Sequence, residues 1–188
     1  MHKLILLVSL LLLFTGCEGN GGIITSNPDY TPDSTFTSNG STNTPSTPAI
    51  DTIIVPANAS LKIYDGDTFT FYSSTGKIKV RLYGIDAPEK AQEYGEQSTT
   101  ELKNLIQGKS LTILVDSYDQ YGRAIGQVYV GNTSVNQAMI ERGAAWWYQY
   151  YAPNNKAFQR AFENAQAQKI GLWAYPNPQN PYEYRKGQ

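Results

Sequence analysis

Residues 65–89 read DGDTFTFYSSTGKIKVRLYGIDAPE, and the strand pattern inside them decides the fold. Asp65-Gly66 is a tight-turn dipeptide. Phe69 and Phe71 then alternate with polar residues up to Ser73-Ser74-Thr75-Gly76, a hairpin turn. Ile78, Val80 and Leu82 alternate next with Lys77, Lys79, Arg81 and Tyr83. A period of two puts one face of a strand in the core and the other in water, so Arg81 points away from the Ile/Val/Leu face. With Leu61 and Ile63 before the turn, the stretch is a three-stranded meander. Asp67 follows the first turn, and Asp86 and Glu89 bracket an Ala87-Pro88 step that stops the last strand.

Further along, Tyr94, Ser98, Leu102, Leu105 and Ile106 have helical spacing over 93–107, ended by Gly108. Leu111, Ile113 and Val115 make a fourth strand. Asp119-Gln120-Tyr121-Gly122 is a turn, and Ala124 to Val130 is a fifth strand. Val135, Ala138 and Met139 begin a short helix that stops at Gly143. Pro153 lies near the start of a longer helix whose Phe158, Ala161, Phe162 and Ala165 stripe ends at Gly171. This order predicts an α+β, mainly β, domain over 53–175: a five-stranded OB-fold Greek-key barrel with three helices packed on it. Residues 176–188, with three prolines, read as a loose C-terminal tail.

The N-terminal third has another character. Lys3 precedes an apolar run from Leu4 to Phe14, shorter than the roughly 20 residues that span a bilayer, so 1–16 read as a signal peptide. Thr15-Gly16 before Cys17 resembles a bacterial lipobox, with Phe14 where Leu is usual. Cys17 is then the lipidated residue of an exported protein, anchored at the cell surface or in the periplasm. The ordinary reading is a secretory peptide that leaves Cys17 a spare thiol. Residues 17–52 are rich in Gly, Ser, Thr, Asn and Pro without apolar period, the composition of a disordered tether.

Charge and residue inventory narrow the chemistry. The net charge is −1, but Glu18, Asp29, Asp33 and Asp51 all lie in 18–51, which hold no Lys or Arg. The 15 basic residues less Lys3 leave 14 for 52–188, and the 16 acidic residues less those four leave 12, so that part is weakly basic. Nucleic-acid binding must therefore come from a local patch. The single Cys is Cys17 and the single His is His2, which excludes an intrachain disulfide and a nitrogen- or sulfur-ligated metal in the mature domain. Any metal is an oxygen-site ion such as Ca²⁺, for which Asp67, Asp86 and the Ala87 carbonyl are candidate ligands. Arg81 and Arg123 each offer a planar fork of donors that suits a phosphate. Glu89 can accept a proton from water. Each piece has an ordinary reading as a turn, a solvated strand residue or a helix entry. The conjunction points to phosphodiester cleavage.

That conjunction resembles the staphylococcal nuclease (thermonuclease) family. The resemblance runs from Leu61 to Trp173 through Asp65-Gly66-Asp67-Thr68, Arg81-Leu82, Asp86-Ala87-Pro88-Glu89, Tyr94-Gly95, Asp119, Tyr121-Gly122-Arg123, Val135-Asn136, Pro153-Asn154-Asn155 and Gly171-Leu172-Trp173. It implies a Ca²⁺-dependent endonuclease that hydrolyses single- and double-stranded DNA, and RNA, to 3′-phosphates as a monomer. By position it implies that Asp67, Asp86 and Ala87 hold the metal. It makes Glu89 the general base and Arg81 and Arg123 the arginines of the transition state. Tyr121 and Tyr151 then contact the nucleotide. Gln120 stands where the best-known member has lysine, and Gln149 where it has a second pocket tyrosine, which leaves Trp147, Tyr148 or Tyr150 as substitutes. Two rival readings are a non-catalytic nucleic-acid-binding OB-fold module and a carbohydrate-binding domain that uses the Trp/Tyr cluster. The acids argue against the first, since a pure phosphate binder has no use for them.

Overall fold

The computed structural model describes residues 50–188 except Thr75. The expected signal peptide, Cys17 and most of the expected tether lie outside the described residues. The strands are β1 (Asp51–Val55), β2 (Leu61–Ile63), β3 (Thr68–Ser73), β4 (Gly76–Leu82), β5 (Ile85–Asp86), β6 (Leu111–Tyr118), β7 (Ala124–Val130), β8 (Thr133–Ser134) and β9 (Trp146–Trp147). The helices are α1 (Gly95–Ile106), α2 (Val135–Glu141), α3 (Lys156–Ala167) and α4 (Pro181–Lys186).

The main sheet runs β1-β6-β7-β4-β3-β2. The β2-β3-β4 meander is present with Phe69 opposite Val80 and Phe71 opposite Ile78. The chain then leaves through α1 and returns as the β6-β7 hairpin. Parallel pairing of β4 with β7 (Val80↔Ala124, Arg81↔Ile125) curls the sheet into the OB-fold. The inward residues of these strands meet α1 and α2 in one core, where Phe69, Val80, Leu82, Leu102, Ile106, Ile113, Val128 and Met139 are buried.

The short strands β5, β8 and β9 add to the five expected, and two longer segments also differ from the sequence reading. The tether was expected to reach residue 52, yet β1 starts at Asp51 and pairs antiparallel with β6, from Asp51↔Val115 to Val55↔Leu111. An edge strand is recruited by main-chain groups, so the exposed Asp51 and Thr52 join it ahead of Ile53, Ile54 and Val55 once β6 offers its free edge. The tail at 176–188 was expected to be loose, yet it carries α4. The third of its prolines, Pro181, occupies the first turn of that helix, where a missing N–H costs nothing, and Asn180 caps it through its side chain. Gln92 Nε2 donates to Gln179 O at 3.3 Å, and Pro181 is buried, which ties the segment to the domain.

One polar side chain fastens the curl. Asn136, in the first turn of α2, is fully buried. Its Oδ1 accepts from Val128 N at 2.9 Å, and its Nδ2 donates to Tyr83 O at 2.9 Å and Gly126 O at 3.2 Å. It thus serves the chain beyond β4 and the middle of β7 together. Asn136→Ala strands the Val128 N–H and the Tyr83 carbonyl in the core. A buried unpaired group costs about 1–3 kcal/mol. Urea unfolding of this variant should lose about 3 kcal/mol, and a loss well under about 1 kcal/mol would show that the bonds do not fasten the fold.

Candidate active site

Asp65 opens the site with a side-chain turn: its Oδ1 accepts from Asp67 N at 3.0 Å. The intervening residue must be Gly66, because a Cβ there would overlap Ser98 Oγ. Asp67 is thereby turned inward, and 4% of it is exposed. Its Oδ1 accepts from Thr68 Oγ1 at 2.9 Å and its Oδ2 from Ala87 N at 2.7 Å. Arg81 Nη1 pairs with the same Oδ2 at 2.8 Å.

Arg81 lies opposite Thr68 in the β3-β4 register, on the face away from Val80 and Leu82, as the alternation predicts. Its Nη2 reaches Asp86 Oδ1 at 3.0 Å. One guanidinium therefore bridges two buried carboxylates. Asp86 is only 2% exposed, set in β5 against β9. Burial pushes its carboxyl up and nearby Asp67 adds to this, while Arg185 and Arg81 oppose it. Asp65 is pushed up to about 7, first by burial and then by the charge of Asp67.

Arg185 was missed in the sequence. From α4 its Nη2 reaches Asp86 Oδ2 at 3.0 Å and its Nη1 reaches Glu89 Oε1 at 2.8 Å and Asp86 Oδ1 at 3.2 Å. Burial would lower its pKa, but the Asp86 and Glu89 carboxylates outweigh that and raise it. The charges thus form a chain, Asp67–Arg81–Asp86–Arg185–Glu89. A lone arginine after the last helical stripe has no periodicity to mark it.

Across a cleft of about 710 Å³ stands the β6-β7 turn. Asp119 Oδ1 accepts from Tyr121 N and Arg123 N, both at 2.9 Å, and Asp119 Oδ2 takes Arg123 Nε at 2.6 Å. Burial pushes the Asp119 carboxyl up, but these donors outweigh it and hold it below its ordinary range. Gly122, at φ +74°, takes the left-handed position of the turn. Asp119 uses Nε of Arg123, so its two terminal nitrogens have no carboxylate partner among the described residues.

Asp67, Arg81, Ala87, Glu89, Tyr121, Arg123 and Tyr151 line this cleft, together with Arg185. Asp86 opens instead on a smaller adjoining recess of about 200 Å³ beside Trp146 to Tyr148. Tyr121 and Tyr151 are 76% and 58% exposed, available to a ligand. Of the three substitutes left open for Gln149, Tyr148 is the one on the cleft wall. Gln149 and Tyr150 are exposed, the latter 80%. Among the described residues no group of three or more His, Cys, Asp or Glu side chains forms a ready cage for an ion. The oxygens at hand are the Asp67 and Asp86 carboxylates, the kind a hard cation takes, and in this structure the Ala87 N–H, Arg81 and Arg185 hold them.

The comparisons agree with this architecture. A family profile described as "Staphylococcal nuclease homologue" matches residues 79–175. An "uncharacterized endonuclease" of Escherichia coli O157:H7 is 41% identical over 127 residues, covering 66% of this chain and 82% of that protein. An "uncharacterized endonuclease" of Haemophilus influenzae is also 41% identical, covering 67% and 71%. The "staphylococcal-like nuclease CAN1" of Arabidopsis thaliana is 40% identical over 111 residues, 58% of this chain and 34% of that protein. The profile takes in the end of β4 with Arg81, the acids at 86 and 89, the Arg123 turn and the Asn136 fastener, while Asp67 lies ahead of it, and the chain belongs to the staphylococcal nuclease family.

Proposed function

We propose that the chain is a Ca²⁺-dependent endonuclease that hydrolyses DNA and RNA with little sequence preference and leaves 3′-phosphate ends. The observation that carries this reading is the Arg81 guanidinium, bridged to the buried Asp67 and Asp86, on one wall of the cleft, with Arg123 on the facing wall. The relatives' names support the reaction class.

A phosphodiester in the cleft meets the open fork of Arg123 from one side, and from the other Arg81, which has to release Asp67 or Asp86 to join it; the two charges suit what develops on phosphorus oxygens. Asp119 orients Arg123 without using its terminal nitrogens, so the fork is set before substrate arrives. Asp67, Asp86 and the Ala87 carbonyl would hold the ion, which when bound polarises a phosphoryl oxygen. Glu89, partly exposed at the cleft, takes a proton from the attacking water. Arg185 acts through Glu89 as a positioning residue, since it grips that carboxylate at 2.8 Å. Tyr148 and Tyr151, packed edge to face at 4.9 Å, offer ring surfaces to bases, which every base can stack on.

We also infer that Cys17 is lipidated and that residues 18–50 tether the domain to a membrane after export. Cys17→Ala should move the protein from the membrane to the soluble fraction. Retention in the membrane fraction would remove Cys17 as the anchor.

The reaction is tested by digesting circular single-stranded DNA and RNA with the full chain, in Ca²⁺ or chelator. Cleavage should require Ca²⁺, open the circles, and leave 3′-phosphates. Arg81→Lys should lower kcat/KM by about 100-fold or more, because a point charge cannot replace the fork. Arg185→Gln should lower kcat about tenfold with KM little changed. Cleavage unaffected by chelator would overturn the metal assignment. Near-normal turnover of Arg81→Lys would overturn the clamp.

A further inference from the structure

Beyond the cleft, the outward face of β2, β3 and β4 carries a lattice of side chains in register. Arg81 stands opposite Thr68, Lys79 opposite Thr70, and Lys77 opposite Tyr72. Lys62 lies on the other side of Thr70. The alternate positions, Phe69, Val80 and Leu82, are in the core. Lys77, Lys79 and Arg81 thus follow one another on one side of one strand. Two-residue steps along a strand are about 6.6 Å, so the row runs about 13 Å away from the cleft.

Two of the three lysines gather on one tyrosine. Lys62 Nζ is 5.0 Å and Lys79 Nζ is 4.7 Å from the centre of the Tyr64 ring. The Thr70 hydroxyl, against the opposing effect of burial, and then the charges of Lys77 and Lys62 hold the Tyr64 phenol below its ordinary range. No carboxylate among the described residues answers this charge. Lys90 and Lys186 pair with acids, whereas Lys62, Lys77 and Lys79 have no ion-pair partner among the described residues. Like charges brought together without an acid repel, and an anion laid across them relieves that repulsion. Tyr72, 56% exposed beside Lys77, adds a ring face at the far end.

We propose that this face is a track for the sugar-phosphate backbone of a nucleic-acid strand, continuous with the cleft through Arg81. Its occupant is the single strand on one side of the cleaved bond, held by phosphate contacts to Lys79, Lys62 and Lys77 and by stacking on Tyr64 and Tyr72. This contact is blind to sequence. It rests on the nuclease reading for its substrate and explains how a chain of net charge −1 grips a polyanion. The basic charge is gathered on one strand face.

The test is the salt dependence of binding. A labelled 20-nucleotide single strand is titrated with the full chain and with Lys62→Gln/Lys77→Gln/Lys79→Gln, in chelator, over a range of salt. Each phosphate contact contributes about 0.7 to the slope of log K against log salt for a single strand. The triple variant should bind more weakly at low salt, with a slope shallower by about 2. In Ca²⁺, its preference for the 20-mer over a dinucleotide, which is too short to reach the lysines, should fall through KM rather than kcat. An unchanged melting temperature would show that the fold is intact. Equal slopes for the two proteins would overturn the track. So would an equal loss on 20-mer and dinucleotide. Absence of cleavage by the parent chain, with the slope difference intact, would instead overturn the nuclease reading and leave the track standing.

Discussion

Two like charges lie in the interior of this domain, and Arg81 is the reason they can. Asp67 and Asp86 are almost wholly shielded from water, and each ionised carboxylate carries a large desolvation penalty there. Arg81 offsets it by reaching both at hydrogen-bonding distance. Much of the local structure follows. Arg81 must sit on the outward face of β4, which the alternation with Val80 and Leu82 provides. Asp67 must be turned inward, which the Asp65-Gly66 turn and the Ala87 N–H provide. Asp86 keeps one oxygen beyond the reach of Arg81, and Arg185 takes it. That contact draws the last helix of the chain into the site. A buried network of this kind adds little net stability over an apolar core, so its upkeep points to use rather than to folding.

The sheet brings the other half of the cleft. Parallel pairing of β4 with β7 puts Ile125 beside Arg81, and Arg123, in the turn just before β7, lines the same cleft. The two arginines therefore face one space although they lie far apart in sequence. Asn136 holds the chain just beyond β4 against β7 from behind, so one amide reinforces the main-chain pairing that spaces the walls. The same outward face of β4 that presents Arg81 continues into Lys79 and Lys77, so one strand serves both the chemistry and the proposed grip on the substrate.

Much of this was legible in the sequence because period-two alternation reports which side of a strand is wet. Arg81, Asp67, Asp86 and Glu89 could be gathered from one stretch of 25 residues, 65–89, since the meander is local. Arg123 was legible as a second donor fork, but its place opposite Arg81 and the roles of the tyrosines were reached through the family resemblance, as no local pattern links β7 to β4. Three features escaped. β1 is held by main-chain pairing to β6, and a strand of that origin needs little side-chain signal. α4 is short and begins at a proline, so it read as a breaker-rich tail. Arg185 is a single residue whose meaning comes from its tertiary partners. The basic face was visible as alternating lysines, but its convergence on Tyr64 depends on the β2-β3 register, which spacing alone does not fix.

The central claim is that the Asp67–Arg81–Asp86 cluster exists to take up a divalent ion beside a phosphate. Calcium titration by isothermal calorimetry, on the full chain and on Asp86→Asn, tests it without reliance on turnover. One ion per chain, lost in the variant while the domain stays folded, is the result the account predicts. No binding to the parent chain, or equal binding to both, would contradict it and leave the buried acids serving their arginines alone.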